Sequence, residues 1–102
     1  MTAPVSPDCI RGAIFAAIRI VNQLLPSSGR LAESEEQPLV GARGALDSLQ
    51  FVNFVVAVEQ QLTSDCGINL VLTDADVLAN QEQIFATVGS LMRYVQAQTA
   101  GV

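Results

Sequence analysis

The chain has 102 residues, the length of one domain, and its 50% hydrophobic content supplies a core that needs neither metal nor disulfide to fold. Five Arg and no Lys stand against ten Asp and Glu, a net charge of −5 that excludes a nucleic-acid surface and favours partners with basic docking faces. No His occurs, which removes Ser-His-Asp and Cys-His catalysis, imidazole general bases and every zinc site built on imidazole.

The N-terminus, Met1 to Asp8, carries Pro4 and Pro7 and reads as an irregular lead segment over residues 1–7. It has no basic flank before an apolar stretch, and the run Ile14 to Ile18 is too short to span a bilayer. The expectation is a soluble, cytoplasmic protein that makes no use of membranes. Asp8 is positioned to cap a helix. Apolar residues then recur at Ile10, Ile14, Ala17, Ile18, Val21, Leu24 and Leu25, which predicts a one-faced helix over about residues 8–25. Pro26 and Ser27-Ser28-Gly29 stop it. Cys9 and Cys66 are the only cysteines. They are too few for a disulfide framework and too far apart for C-x-x-C, so they read as two small, partly buried thiols in a reducing cytosol.

Residues 26–46 lack sustained periodicity and hold Gly29, Pro38, Gly41 and Gly44 together with Glu33, Glu35 and Glu36. So long a loop in a compact domain has to pack on the core, with Leu31, Leu39, Val40 and Leu46 as anchors. The three glutamates, even with Asp8, lack the spacing of a calcium loop, so the cluster reads as solvated and no metal site is expected.

At Asp47 two helix-start signals coincide. Asp47 as N-cap puts Gln50 at the third helical position, the spacing of a capping box, and Leu46 with Phe51 makes the matching hydrophobic staple. Phe51, Phe54, Val55, Val58 and Leu62 share one face of a helix over about residues 48–62. Gln50, Asn53, Ala57, Gln60 and Gln61 make up the face opposite. Ile68 to Leu72 is apolar and β-rich, but with no strand to pair with it reads as an extended, buried connector. Thr73 or Asp74 caps a short turn through Val77 and Leu78, which resumes over Glu82 to Phe85. Thr87 caps a last helix over about residues 88–98, with Val88, Leu91, Met92 and Val95 inward. The predicted fold is all-α: three main helices and a short third one in a four-helix bundle, with a long loop between helices one and two. Residues 8–98 form the single domain and 99–102 a tail.

Ser48 is the residue with chemical promise. It sits in the first turn of a helix, beside a carboxylate and after Gly41-Ala42-Arg43-Gly44, where unpaired N–H groups and the helix dipole favour a phosphate. No imidazole exists to take its proton, and Asp47 is a weak base committed to the cap. Another protein has to activate Ser48, and the chain itself is expected not to be an enzyme.

The stretch Gly44-Ala45-Leu46-Asp47-Ser48-Leu49, followed by Phe51, Val55, Val58, Glu59 and Leu62, resembles the acyl carrier protein family. Phe85-Ala86-Thr87-Val88-Gly89-Ser90-Leu91 with Tyr94-Val95 resembles that family's last loop and final helix, and Asp76 falls where the family has an acidic short helix. The resemblance covers about residues 8–98. It implies an acyl-carrier-like fold and a 4′-phosphopantetheine arm on Ser48, flanked by Asp47 and Leu49. It also implies a thioester-linked cargo and three kinds of partner: a phosphopantetheinyl transferase, a loading ligase or synthase, and a downstream acyl-accepting enzyme. The protein is then a free-standing, monomeric carrier that presents cargo at high effective concentration.

One departure from the family pattern stands out. Its second helix usually carries several acidic residues, whereas here Gln50, Asn53, Gln60 and Gln61 are neutral and only Glu59 is acidic. Docking is therefore expected to use Leu49, Val52 and Val56, flanked by Asn53 and Glu59. That shifts the expected role from general fatty acid synthesis to a specialised polyketide, nonribosomal or aminoacyl-transfer pathway. The competing readings are that the three apolar residues are core, and that the chain is an unmodified four-helix adaptor or regulatory module.

Overall fold

Helix α1 (Pro7–Asn22) begins at its proline, the residue that tolerates the first helical position because it has no N–H to leave unpaired. The structure, a computed structural model, describes residues 7–25, 30–40, 46–72 and 75–100; the side chains of Pro7, Ser48, Asp76, Leu78, Thr99 and Ala100 also lie outside that description. Asp8 therefore falls inside the first turn, not before it, and pairs with Arg11 one turn on. Ile10, Ala13, Ile14, Ala17, Ile18 and Val21 are fully buried. The helix stops at Asn22, short of the predicted Leu25. Three tightened bonds take over: Gln23 N–H to Ile20 O, Leu24 N–H to Val21 O and Leu25 N–H to Asn22 O. The tighter winding buries Leu25 but turns Leu24 outward, correcting its expected place on the apolar face.

The half-buried Asn22 side chain holds the returning loop. Its Nδ2 donates to Leu31 O at 3.0 Å, and its Oδ1 accepts from Leu31 N–H at 2.8 Å. Leu31 and Leu39 are buried, and Val40 and Leu46 pack half-buried on the same core. The loop then runs beside the start of the last helix. Leu39 N–H donates to Ala86 O, Val40 N–H to Phe85 O, Val88 N–H to Gln37 O and Gly89 N–H to Glu35 O, at 2.8 to 3.1 Å. Gly89 suits this approach, since a Cβ there would stand 3.1 Å from the Glu35 carbonyl oxygen, a tight contact that the loop would have to relieve by shifting. The acidic cluster is accordingly more than a solvated run. Glu33 accepts from Arg19 at 2.9 Å, raising the Arg19 pKa through that hydrogen bond and charge, and Glu35 lies 4.0 Å from Arg11.

Helix α2 (Ser48–Cys66) packs antiparallel along α1. It extends past the predicted residue 62, because Gly67 supplies the left-handed residue (φ 67°) that closes a helix, its N–H reaching Thr63 O. Antiparallel packing brings the end of α2 to the start of α1, and there Cys9 and Cys66 form a disulfide with Cα atoms 6.0 Å apart. The expectation of two free thiols is thereby corrected. The connector alternates instead of being buried throughout: Ile68 and Leu72 are buried and Leu70 half-buried, whereas Asn69 and Val71 are exposed.

The short helical region is two pieces, α3 (Ala75–Ala79) and α4 (Gln81–Ile84), divided at Asn80. The proposed cap at Thr73 or Asp74 lies outside the described residues. Helix α5 (Val88–Ala100) opens with a reciprocal cap: Ser90 N–H donates to Thr87 Oγ1 at 3.1 Å and Thr87 N–H donates to Ser90 Oγ at 2.9 Å. Val88, Leu91, Met92 and Val95 point inward, as predicted. Phe51 of α2 meets Phe85 edge-to-face, with ring centroids 4.9 Å apart. The described residues thus form an all-α bundle of three long and two short helices, with Pro38 and Thr87 making an isolated bridge.

Candidate functional site

The site is built where the loop hands over to α2. Asp47 has extended backbone (φ −79°, ψ −179°), and its Oδ1 accepts from Gln50 N–H at 2.8 Å. Its carbonyl accepts from Phe51 N–H at 2.8 Å, the first bond of the helix proper. Only the forward half of the predicted capping box forms, since Gln50 Oε1 faces Asn53 Nδ2 at 3.5 Å. The staple closes as expected, with Phe51 buried and Leu46 half-buried on the core.

Ser48 is the first residue of this 19-residue helix, with its backbone at the positive end of the dipole. The N–H groups of Ser48 and Leu49 have no partner within the helix, as is general for a first turn. Residues 41–45, which hold the glycine-containing lead-in and the Gly44-Ala45 part of the motif, lie outside the described residues. Asp47→Ala is expected to cost about 1 kcal/mol of unfolding free energy, the usual price of a deleted N-cap. Urea denaturation checks this, and an Asp47→Asn variant should recover most of the loss.

Leu49 is 68% exposed, Val52 50% and Val56 40%. Spaced at i, i+3 and i+7, they make a ridge about 10 Å long running from Ser48 down the outer face of α2. These residues are surface, not core. The structure also corrects the predicted polar face. Ala57 is buried against the core, Gln50, Asn53 and Gln61 are half-buried on the flanks, and only Gln60 of that set stands fully outside. Gln50, Asn53 and Gln61 thus flank the interface with the bundle, while Leu49, Val52 and Val56 face outward.

Glu59 has a role that its surface assignment did not include. Its Oε2 accepts from the Leu72 N–H at 2.7 Å, tying the connector to α2. Thr63 assists, its Oγ1 lying 3.0 Å from Ile68 O and 3.1 Å from Glu59 O. Neither tie is visible in sequence, because a carboxylate half-buried against a distant backbone donor leaves no periodic signal. Asp76 falls in α3, with its side chain outside the description. Among the described residues, no group of three or more Cys, Asp or Glu is placed to hold a metal ion, and no helix is long and apolar enough to cross a membrane. Comparison with protein-family models, with curated proteins and with solved structures yields no match.

Proposed function

We propose that the protein is an acyl or aminoacyl carrier bearing 4′-phosphopantetheine on Ser48. The observation that carries this reading is the position of Ser48 at the head of α2, behind the Asp47 cap, with an exposed apolar ridge leading away from it. The resemblance of Gly44 to Leu49 and of Phe85 to Leu91 to the acyl carrier protein family supports it independently. The donor set suits the group: a serine to esterify, a helix N-terminus that favours the phosphodiester anion, and exposed Leu49 beside it for the arm to lie on. When bound, the arm supplies the thiol that holds cargo as a thioester.

The remaining work falls to the chain's own residues. Asp47 keeps the first turn wound, so that Ser48 is presented in one backbone geometry. With no His in the sequence, the base that takes the Ser48 proton comes from a phosphopantetheinyl transferase. Leu49, Val52 and Val56, flanked by Asn53 and Glu59, form the surface on which a loading ligase or synthase and a downstream acceptor dock. An uncharged docking face suits a specialised polyketide, nonribosomal or aminoacyl-transfer pathway.

Incubation with coenzyme A, magnesium and a broad-specificity transferase is expected to add one phosphopantetheinyl group, read by intact mass. Ser48→Ala should abolish the addition and leave the helical circular-dichroism spectrum unchanged, since the Asp47 cap remains. Modification of the Ser48→Ala protein, or none of the wild type, sinks the reading; the second result is what an unmodified adaptor would give.

A further inference from the structure

We propose that the Cys9–Cys66 bond is a redox-reversible clamp on the end of α2 and the connector that follows it, closed as a disulfide and released as two thiols by a dithiol reductant. This stands whether or not Ser48 is modified. The bond joins the first turn of α1 to the last residue of α2 across 57 residues of sequence. Both cysteines are half-buried, so the bond is not sealed within the core and is open to exchange with a reductant's thiolate. The fold does not hang on the bond, because buried Ile10, Leu62 and Ile68 continue the core beside it.

The same geometry serves the reduced state. Cys9 Sγ lies 3.3 Å from the Asp65 carbonyl oxygen, an acceptor ready for the thiol hydrogen that reduction would place there. The segment that would respond begins one residue after Cys66. Gly67 closes the helix, Ile68 N–H donates to Leu62 O at 3.1 Å, Thr63 Oγ1 donates to Ile68 O at 3.0 Å, and Leu72 N–H donates to Glu59. Asn69 and Val71 between these ties are exposed. A non-helical connector with exposed positions between its ties opens locally before the bundle does, and a covalent link at its root restrains that opening.

The chemistry balances. A reductant thiolate attacks one sulfur, the S–S bond breaks, and the other cysteine leaves as a thiolate that takes up a proton. The reductant's second thiol then displaces the protein from the mixed disulfide. The protein gains two electrons and two protons, and the reductant becomes a disulfide.

The test holds the wild-type protein in oxidised glutathione or in dithiothreitol and reads thiol alkylation by mass and amide exchange by fragment. Oxidised protein should take up no alkyl groups and reduced protein two. Exchange over residues 67–72 should accelerate on the order of tenfold on reduction, change far less in α5, and return on reoxidation. A Cys9→Ser/Cys66→Ser variant should show the fast exchange in both buffers; if it does not fold, the wild-type comparison decides by itself. Two free thiols under oxidising conditions, a bond between two chains, or equal exchange in both states would overturn the proposal.

Discussion

Val52→Asp and Val56→Asp are each expected to weaken binding to the cognate loading enzyme by about 1–3 kcal/mol, or about 5- to 150-fold, with the bundle intact. The loss is that of an apolar contact replaced by a charge with no partner once water is excluded. Both side chains are already at least 40% exposed, so the free protein accommodates the carboxylate at little more than the helix-propensity difference. The same face predicts the salt response. Charge-steered complexes weaken as salt screens them beyond about 8 Å at physiological strength, whereas a ridge of Leu49, Val52 and Val56 has little to screen. Affinity measured at low and moderate salt should therefore be nearly equal. Normal loading of folded Asp variants, or a steep salt dependence, would place docking elsewhere. The loop bearing Glu33, Glu35 and Glu36 would then be the next surface to test.

Phe54→Ala is expected to cost about 3–5 kcal/mol of unfolding free energy, a large share of the 5–15 kcal/mol typical of a domain. Phe54 is fully buried on the inward face of α2, in the core that also contains Ile14 and Ile18 of α1 and Leu91 of α5. Truncation removes the ring's transfer free energy and leaves a cavity that rigid helices fill only in part. Phe54→Leu should recover more than half of the loss. Denaturant unfolding measures both, and a cost below about 1 kcal/mol for Phe54→Ala would mean that the helices collapse around the site.

Much of this was legible in the amino-acid order. The helix-length apolar periodicities, the Asp47 and Thr87 caps, and the loop anchors at Leu31 and Leu39 all rest on chemistry within a few residues of chain, which is why they could be read there. The candidate serine was equally accessible, since a cap, a staple and a helix start converge on it within five positions. Helix ends were less so. Pro7 advanced the start of α1, tightened backbone bonds ended it at Asn22, and Gly67 carried α2 on to Cys66.

The sequence by itself therefore determined the helical class, the order of the elements and the position of Ser48 at the head of α2. Tertiary structure alone decided three other matters. It assigned Leu49, Val52 and Val56 to the surface, because a helix packed on one side buries about half of its circumference and only the neighbours say which half. It turned Glu59 and Asn22 inward to hold Leu72 and Leu31, since backbone donors distant in sequence become partners only when the chain returns. It joined Cys9 to Cys66, because antiparallel packing of α1 and α2 sets their ends side by side and no spacing rule encodes that meeting.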